Sequence, residues 1–161
     1  MQRGDKVNRF EELHQEAEDK NIDVIDYRFE SNRIKGLYCN GTIALKHDIE
    51  TTNEKGCVLA EELGHHYTTV GDILDQSKAV NRKQELHARA WAYNKMIGLM
   101  GIVKSYEQGC RSMHETAEFL NVTEEFFQEA LVYYKNKYGI YTIVDNYIIY
   151  FEPSLGVGKL I

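Results

Sequence analysis

The sequence contains one proline, Pro153, one tryptophan and three cysteines in 161 residues. Proline breaks helix interiors and central strands, so its scarcity leaves nearly the whole chain free to form regular elements. The cysteines, Cys39, Cys57 and Cys110, are odd in number and widely spaced, and no two make a Cys-x-x-Cys pair. This argues against a disulfide framework and for a reducing compartment, so a cytoplasmic location is expected. Long apolar runs are also missing. The longest nearly apolar stretch, Met96 to Val103, is far shorter than the roughly 20 residues needed to cross a bilayer. The polar start, Met1-Gln-Arg-Gly-Asp-Lys, lacks the apolar region of a secretory signal. No membrane partner is expected. Positive charge is in short supply, with 19 Lys and Arg against 25 Asp and Glu, a formal net charge of -6. That balance is wrong for a protein devoted to phosphate backbones.

What remains is ordinary globular composition, 43% hydrophobic and 27% charged. At this length it predicts one domain, residues 1–161. Residues 6–20 read as a short amphipathic helix, with Val7, Phe10, Leu13, His14 and Ala17 at three- and four-residue steps. From Asp23 the period becomes two, as Ile25, Tyr27 and Phe29 alternate with Asp26 and Arg28. Strands are expected within 23–46, the last two over about 33–39 and 42–46. Asn40-Gly41 joins those two and is the strongest short hairpin signal, because a type I′ turn needs positive φ at both positions.

A helix is predicted over about 52–69, opened by the capping-box pair Thr51 and Glu54. After Gly71-Asp72 a short helical piece is expected. The longest helical pattern covers about 81–106. One apolar row holds Leu86, Ala90, Tyr93, Ile97 and Met100, and another holds Ala88, Ala92, Met96, Leu99 and Val103. A helix pair follows over 112–138, capped at Ser112 and Thr123 and closed by Gly139. A hairpin over 140–151 ends the pattern, turning at Asp145-Asn146. The fold class is α+β, a small antiparallel sheet packed on helices, with a motif helix, a central helix over about 81–106, a C-terminal helix pair and a β-hairpin.

The chemistry gathers at Ala60-Glu61-Glu62-Leu63-Gly64-His65-His66-Tyr67. With Glu61 at 0° on a helical wheel, His65 falls at about 40°, Glu62 at about 100° and His66 at about 140°. Four ionisable groups therefore share one stripe of an otherwise apolar helix. Burying them costs desolvation energy unless they are paired or hold an ion. Glu61 and His65, at i and i+4, can converge on one ion, with Glu62 beside it as a general base. A third ligand must come from another element. Glu85, in Glu85-Leu-His87-Ala88-Arg89-Ala90-Trp91-Ala92, stands about twenty residues on, among alanines that permit close helix approach. The competing reading is a solvated polar helix face, with Glu85 an ordinary first-turn acid.

Glu-Glu-Leu-Gly-His-His followed by Glu-x-x-Ala-x-x-Trp-Ala resembles the ImmA/IrrE metallopeptidase family. The resemblance covers about residues 10–155. It implies a compact zincin-like domain, a zinc-dependent metallopeptidase and a helix-turn-helix repressor as protein substrate, in the manner of phage and mobile-element anti-repressors. It makes Glu62 the catalytic residue and Glu61, His65 and Glu85 the metal ligands. Glu61 stands where the family usually has His, giving an Glu-Glu-x-x-His variant. The added carboxylate makes any bound ion a poorer Lewis acid and admits Mn²⁺ or another divalent metal besides Zn²⁺. The alternative function is a protease-like module that binds the repressor without cleaving it. His66, Tyr67, His87 and Arg89 are candidates for orienting the site or stabilising the transition state. The strand over 42–46, nearest the motif in sequence, is expected to align substrate by strand addition.

The helix pair over 112–138 has the length and turn of a DNA-reading helix-turn-helix. Its charge opposes that role. From Ser112 to Gly139, Glu115, Glu118, Glu124, Glu125 and Glu129 outweigh Lys135 and Lys137. The would-be recognition helix opens on Thr123-Glu124-Glu125, where phosphate contact needs Lys or Arg. No direct nucleic-acid partner is expected, and protein docking is the better use of this pair. His14, His47 and His114 read as surface residues, Trp91 and Tyr133-Tyr134 as core or interface aromatics, and the cysteines as small core residues.

Overall fold

A computed structural model describes residues 8–68 and 78–161, with the side chains of 78–80 excepted. The start of the first predicted helix and the helical piece after Gly71-Asp72 lie outside the described residues. The elements run α1 (Arg9–Asp19), β1 (Asp23–Tyr27), β2 (Gly36–Cys39), β3 (Thr42–Lys46), α2 (Thr52–Thr68), α3 (Lys78–Met96) and α4 (Gly98–Glu107). They continue with α5 (Met113–Leu120), α6 (Glu124–Tyr138), β4 (Tyr141–Val144), β5 (Tyr147–Tyr150) and β6 (Gly156–Lys159). The fold is α+β. No helix among the described residues is long and apolar enough to cross a membrane. Contacts cluster in two units, 1–92 and 93–161.

In the first unit the Asn8 side chain accepts the Glu11 N–H at 2.9 Å and opens α1. One face of α1 buries Leu13 and Ala17. The sheet has the order β1-β3-β2. β3 alternates as an amphipathic strand should, with Ile43 and Leu45 buried. Asn40 and Gly41 take φ of +45° and +79°, and Cys39 pairs with Thr42 across the turn. The hairpin is therefore the one expected of Asn-Gly. β1, in contrast, runs parallel to β3, with Asp23 opposite Thr42 and Tyr27 opposite Lys46. The sheet is thus mixed, where an antiparallel one was expected. Helix α2 packs on α1 and on the two hairpin strands.

In the second unit the expected helix over 81–106 is divided. The first segment ends at Met96, and after Ile97 the second begins at Gly98, whose φ is +63°. A left-handed residue cannot lie inside a right-handed helix. The row Ala88, Ala92, Met96 and Val103 is buried, whereas the other row buries only Tyr93 and Ile97 and leaves Leu86 and Met100 exposed. Ser112 caps α5 through the Glu115 N–H at 3.1 Å. Thr123 caps α6 through the Phe126 N–H, also at 3.1 Å. Asn121, at φ +57°, turns the chain between these helices. The predicted hairpin is β4 and β5. β6 adds a third antiparallel strand, opposite Tyr147–Tyr150. Phe127, Tyr134 and Ile149 are fully buried. Of the cysteines only Cys57 is a core residue, while Cys39 is exposed.

Candidate metal centre

Helix α2 presents the motif. The Thr51 hydroxyl accepts the Glu54 N–H at 3.2 Å and fixes where the helix starts. Lys35, just before β2, pairs with Glu54 and pins the hairpin to that first turn. The inward positions of α2 are Gly56, Cys57, Leu59, Ala60, Leu63 and Gly64. They leave Glu61, Glu62, His65 and His66 half-buried along one flank, with Tyr67 half-buried beyond it.

Two of the predicted ligands meet across helices. His65 Nε2 lies 3.4 Å from Glu85 Oε1, although the Glu85 side chain is 55% exposed. Gly64 makes this approach possible. A Cβ at that position would sit 2.3 Å from the Ala88 carbonyl oxygen, a distance no real side chain adopts. The glycine at the centre of the motif thus lets α3 lie against α2 one turn from Glu85.

Glu62 is held on the side of β2. A Cβ on Gly36 would come within 2.9 Å of Glu62 Cγ and 3.0 Å of its Oε1. Only a residue without a side chain lets the strand and this carboxylate share the space. The Tyr38 main-chain N–H donates a hydrogen bond to the Glu62 carboxylate. Burial, then the charges of Glu61 and Glu85, push the Glu62 pKa up to about 7, against the pull of that bond. A carboxyl group poised there can take and return a proton near neutral pH.

His66 is turned to the hairpin. Its Nδ1 lies 2.7 Å from the Tyr38 hydroxyl, which also accepts the Gly41 N–H at 3.3 Å. The His66 ring meets the Tyr38 and Tyr67 rings edge to face, with centroids 5.3 and 5.0 Å away. Tyr67 in turn stacks on Trp91 at 5.0 Å. The Tyr67 hydroxyl is shielded and makes no hydrogen bond of good geometry. Burial and the nearby Glu16 carboxylate raise its pKa. His87 and Arg89 are exposed on α3.

The arrangement therefore joins His65 to Glu85, with Glu62 close enough to feel the charges of Glu61 and Glu85. Among the described residues no three His, Cys, Asp or Glu side chains converge in the geometry of an ion site. The donor chemistry nevertheless suits a divalent ion, since an imidazole nitrogen and carboxylate oxygens are ordinary partners of Zn²⁺ and Mn²⁺. The peptidase family described as the IrrE N-terminal-like domain matches residues 17–132. The chain belongs to this family. No curated protein and no solved structure matches it. Membership supports a metallopeptidase-like function acting on protein, and a divalent metal, usually zinc.

Sequence reasoning passed over Tyr38 and Gly36. Neither belongs to a motif. The only signal was indirect, in that Asn40-Gly41 fixes the register that sets residues 36 and 38 on one face of β2. The expected strand addition is also corrected. β3 is the middle strand, with β1 on one side and β2 on the other. Its backbone is already paired on both sides, so the expected docking of substrate along 42–46 has no free strand edge there. β2 is the edge strand that contacts Glu62.

Proposed function

We propose that the protein is a metal-dependent endopeptidase that cleaves a peptide bond in a partner protein. In this reading Glu61, His65 and Glu85 hold the ion, Zn²⁺ first and Mn²⁺ as the alternative. The observation that carries it is the pairing of His65 with Glu85 across two helices, beside a glutamate raised to about 7. A bound divalent ion would supply Lewis acidity, polarising a carbonyl and making water easier to deprotonate. Glu62 accepts the proton of the attacking water and returns it to the leaving amine. Gly36 and the Tyr38 N–H keep that carboxylate in place. The β2 edge lays the substrate backbone beside it.

The substrate we favour is a helix-turn-helix repressor of a phage or mobile element, in a cytoplasmic setting. The acidic, aromatic helices α5 and α6 suit docking to such a basic protein. Exposed Glu118, Glu124, Glu125 and Glu129 support this use and oppose direct contact with nucleic acid. In the test, Glu62→Gln is mixed with a helix-turn-helix repressor of the proposed class and with added Zn²⁺. Cleavage is expected to fall about 100-fold or more with the fold intact. A variant that cleaves as fast as the parent sinks the reading.

A second reading rests on the charge of Glu61. A carboxylate in place of imidazole weakens the Lewis acid, and the chain then binds the repressor without cutting it. Glu61→His separates the two. A gain of cleavage and metal affinity marks the natural protein as a binding module. A loss marks Glu61 as a working ligand.

A further inference from the structure

Tyr38 touches the candidate site twice. Its main-chain N–H donates to Glu62, and its hydroxyl lies 2.7 Å from Nδ1 of His66. These two acceptors sit four residues apart on α2, so they share one helix face. The hairpin turn adds a third contact, since the Gly41 N–H donates to the same hydroxyl at 3.3 Å.

The hydrogen-bond inventory among protein groups points to one placement of the protons. A phenol has one O–H to donate and two lone pairs to accept with. The Gly41 amide can only donate, so it takes a lone pair of the Tyr38 oxygen. If His66 Nδ1 carried the proton, it would donate to that oxygen as well, and the phenol proton would lack a partner here. The arrangement that satisfies every group sends the Tyr38 proton to a bare Nδ1. A neutral imidazole with a bare Nδ1 carries its hydrogen on Nε2. The ring is held against rotation by Tyr38 and Tyr67, which meet it edge to face at 79° and 80°. With Nδ1 turned to the hairpin, Nε2–H faces away from it.

We propose that Tyr38 is the positioning residue of this site, holding Glu62 through its amide and fixing His66 as the Nε2–H donor that meets the substrate carbonyl oxygen. The role of His66 as a donor rests on the endopeptidase reading. The tautomer does not. During attack on a peptide carbonyl, negative charge grows on the carbonyl oxygen, and a fixed donor next to the general base stabilises it. Tyr38 links both groups to one strand, so the base and the donor keep a constant spacing.

Nitrogen–proton correlation spectra of the full chain, labelled with ¹⁵N-histidine and recorded with and without Zn²⁺, read the tautomer directly. His66, assigned by the signals lost in His66→Gln, is expected in the Nε2–H form. In Tyr38→Phe the amide contact to Glu62 remains while the hydroxyl is gone, and His66 is expected to become a mixture of tautomers. A wild-type His66 protonated on Nδ1, or a Tyr38→Phe spectrum identical to the parent's, overturns the inference without any reference to catalysis. With the same repressor as substrate, Tyr38→Phe is expected to lower kcat roughly tenfold at unchanged KM. His66→Phe is expected to lower it by about 100-fold. Unchanged kcat in both variants, with Glu62→Gln inactive, removes the donor role and leaves the endopeptidase reading standing. An active Glu62→Gln removes that reading and leaves the tautomer to the spectra.

Discussion

At the scale of single residues, Glu62 holds a proton more tightly in the folded protein than it would in the unfolded chain. The cause is burial first, then the negative charges of Glu61 and Glu85, which together lift its pKa from 4.5 to about 7. Between those two values the folded state binds more protons than the unfolded one, so stability falls as pH rises through the interval. Above it the charged carboxylate is simply a standing cost. In chelator-treated protein, Glu62→Gln removes the charge and the slope with it. The variant's stability relative to the parent is expected to rise between pH 5 and pH 8, by up to about 3 kcal/mol at about 1.4 kcal/mol per pKa unit. Urea unfolding at the two pH values measures it. Equal differences at both would show that Glu62 titrates as a free side chain does. A dication between Glu61 and Glu85 opposes the same repulsion, so Zn²⁺ is expected to flatten the parent's pH dependence.

At the scale of elements, α2 and α3 meet at a point where one helix has no side chain. Gly64→Ala would normally add up to about 1 kcal/mol of helix propensity. Here the new methyl would lie 2.3 Å from a main-chain oxygen of Ala88, and backbone cannot turn aside as a flexible side chain can. The helices must separate, and we expect a net loss of about 1–3 kcal/mol, together with weaker Zn²⁺ binding as His65 leaves Glu85. A thermal melt that rises on substitution would show that the contact tolerates a side chain. What could be read from sequence follows the same division between local and distant causes. Thr51, Ser112 and Thr123 cap their helices because a cap is made within three residues. Asn40-Gly41 makes its turn for the same reason. The break at Gly98 was hidden because the apolar rows continue across it. The parallel pairing of β1 with β3 and the seat of Tyr38 on α2 depend on residues far apart in the chain, which no period or spacing encodes. The motif and the strand over about 33–39 were both legible, but the contacts of that strand with Glu62 and His66 were not.

At the scale of the whole molecule, the deficit of basic residues and the family agree on a protein partner. The net charge of -6 and the exposed acids of α5 and α6 repel a phosphate backbone. Duplex DNA is expected to show no mobility shift at low salt, where electrostatic binding is strongest. A salt-sensitive shift would assign α5 and α6 to a groove after all. The two units carry different kinds of surface. The first offers the half-buried ionisable stripe of α2. The second carries an apolar sheet face, with Tyr141, Ile143 and Tyr150 exposed, in which Tyr141 and Tyr150 face each other at 6.1 Å.

The bond between Glu62 and the Tyr38 amide has one further consequence. An incoming strand that extends the sheet along β2 seeks the outward amides of that strand, and the Tyr38 amide is already engaged. The peptide must either leave that rung of the ladder empty or take it from the carboxylate. A peptide whose carbonyl at that rung turns away from β2 would dock without competition, whereas a rigid, fully paired strand would have to displace the carboxylate from that amide. In the proposed docking along β2, a single occupied N–H would limit the shape of acceptable substrates before any side-chain pocket is considered.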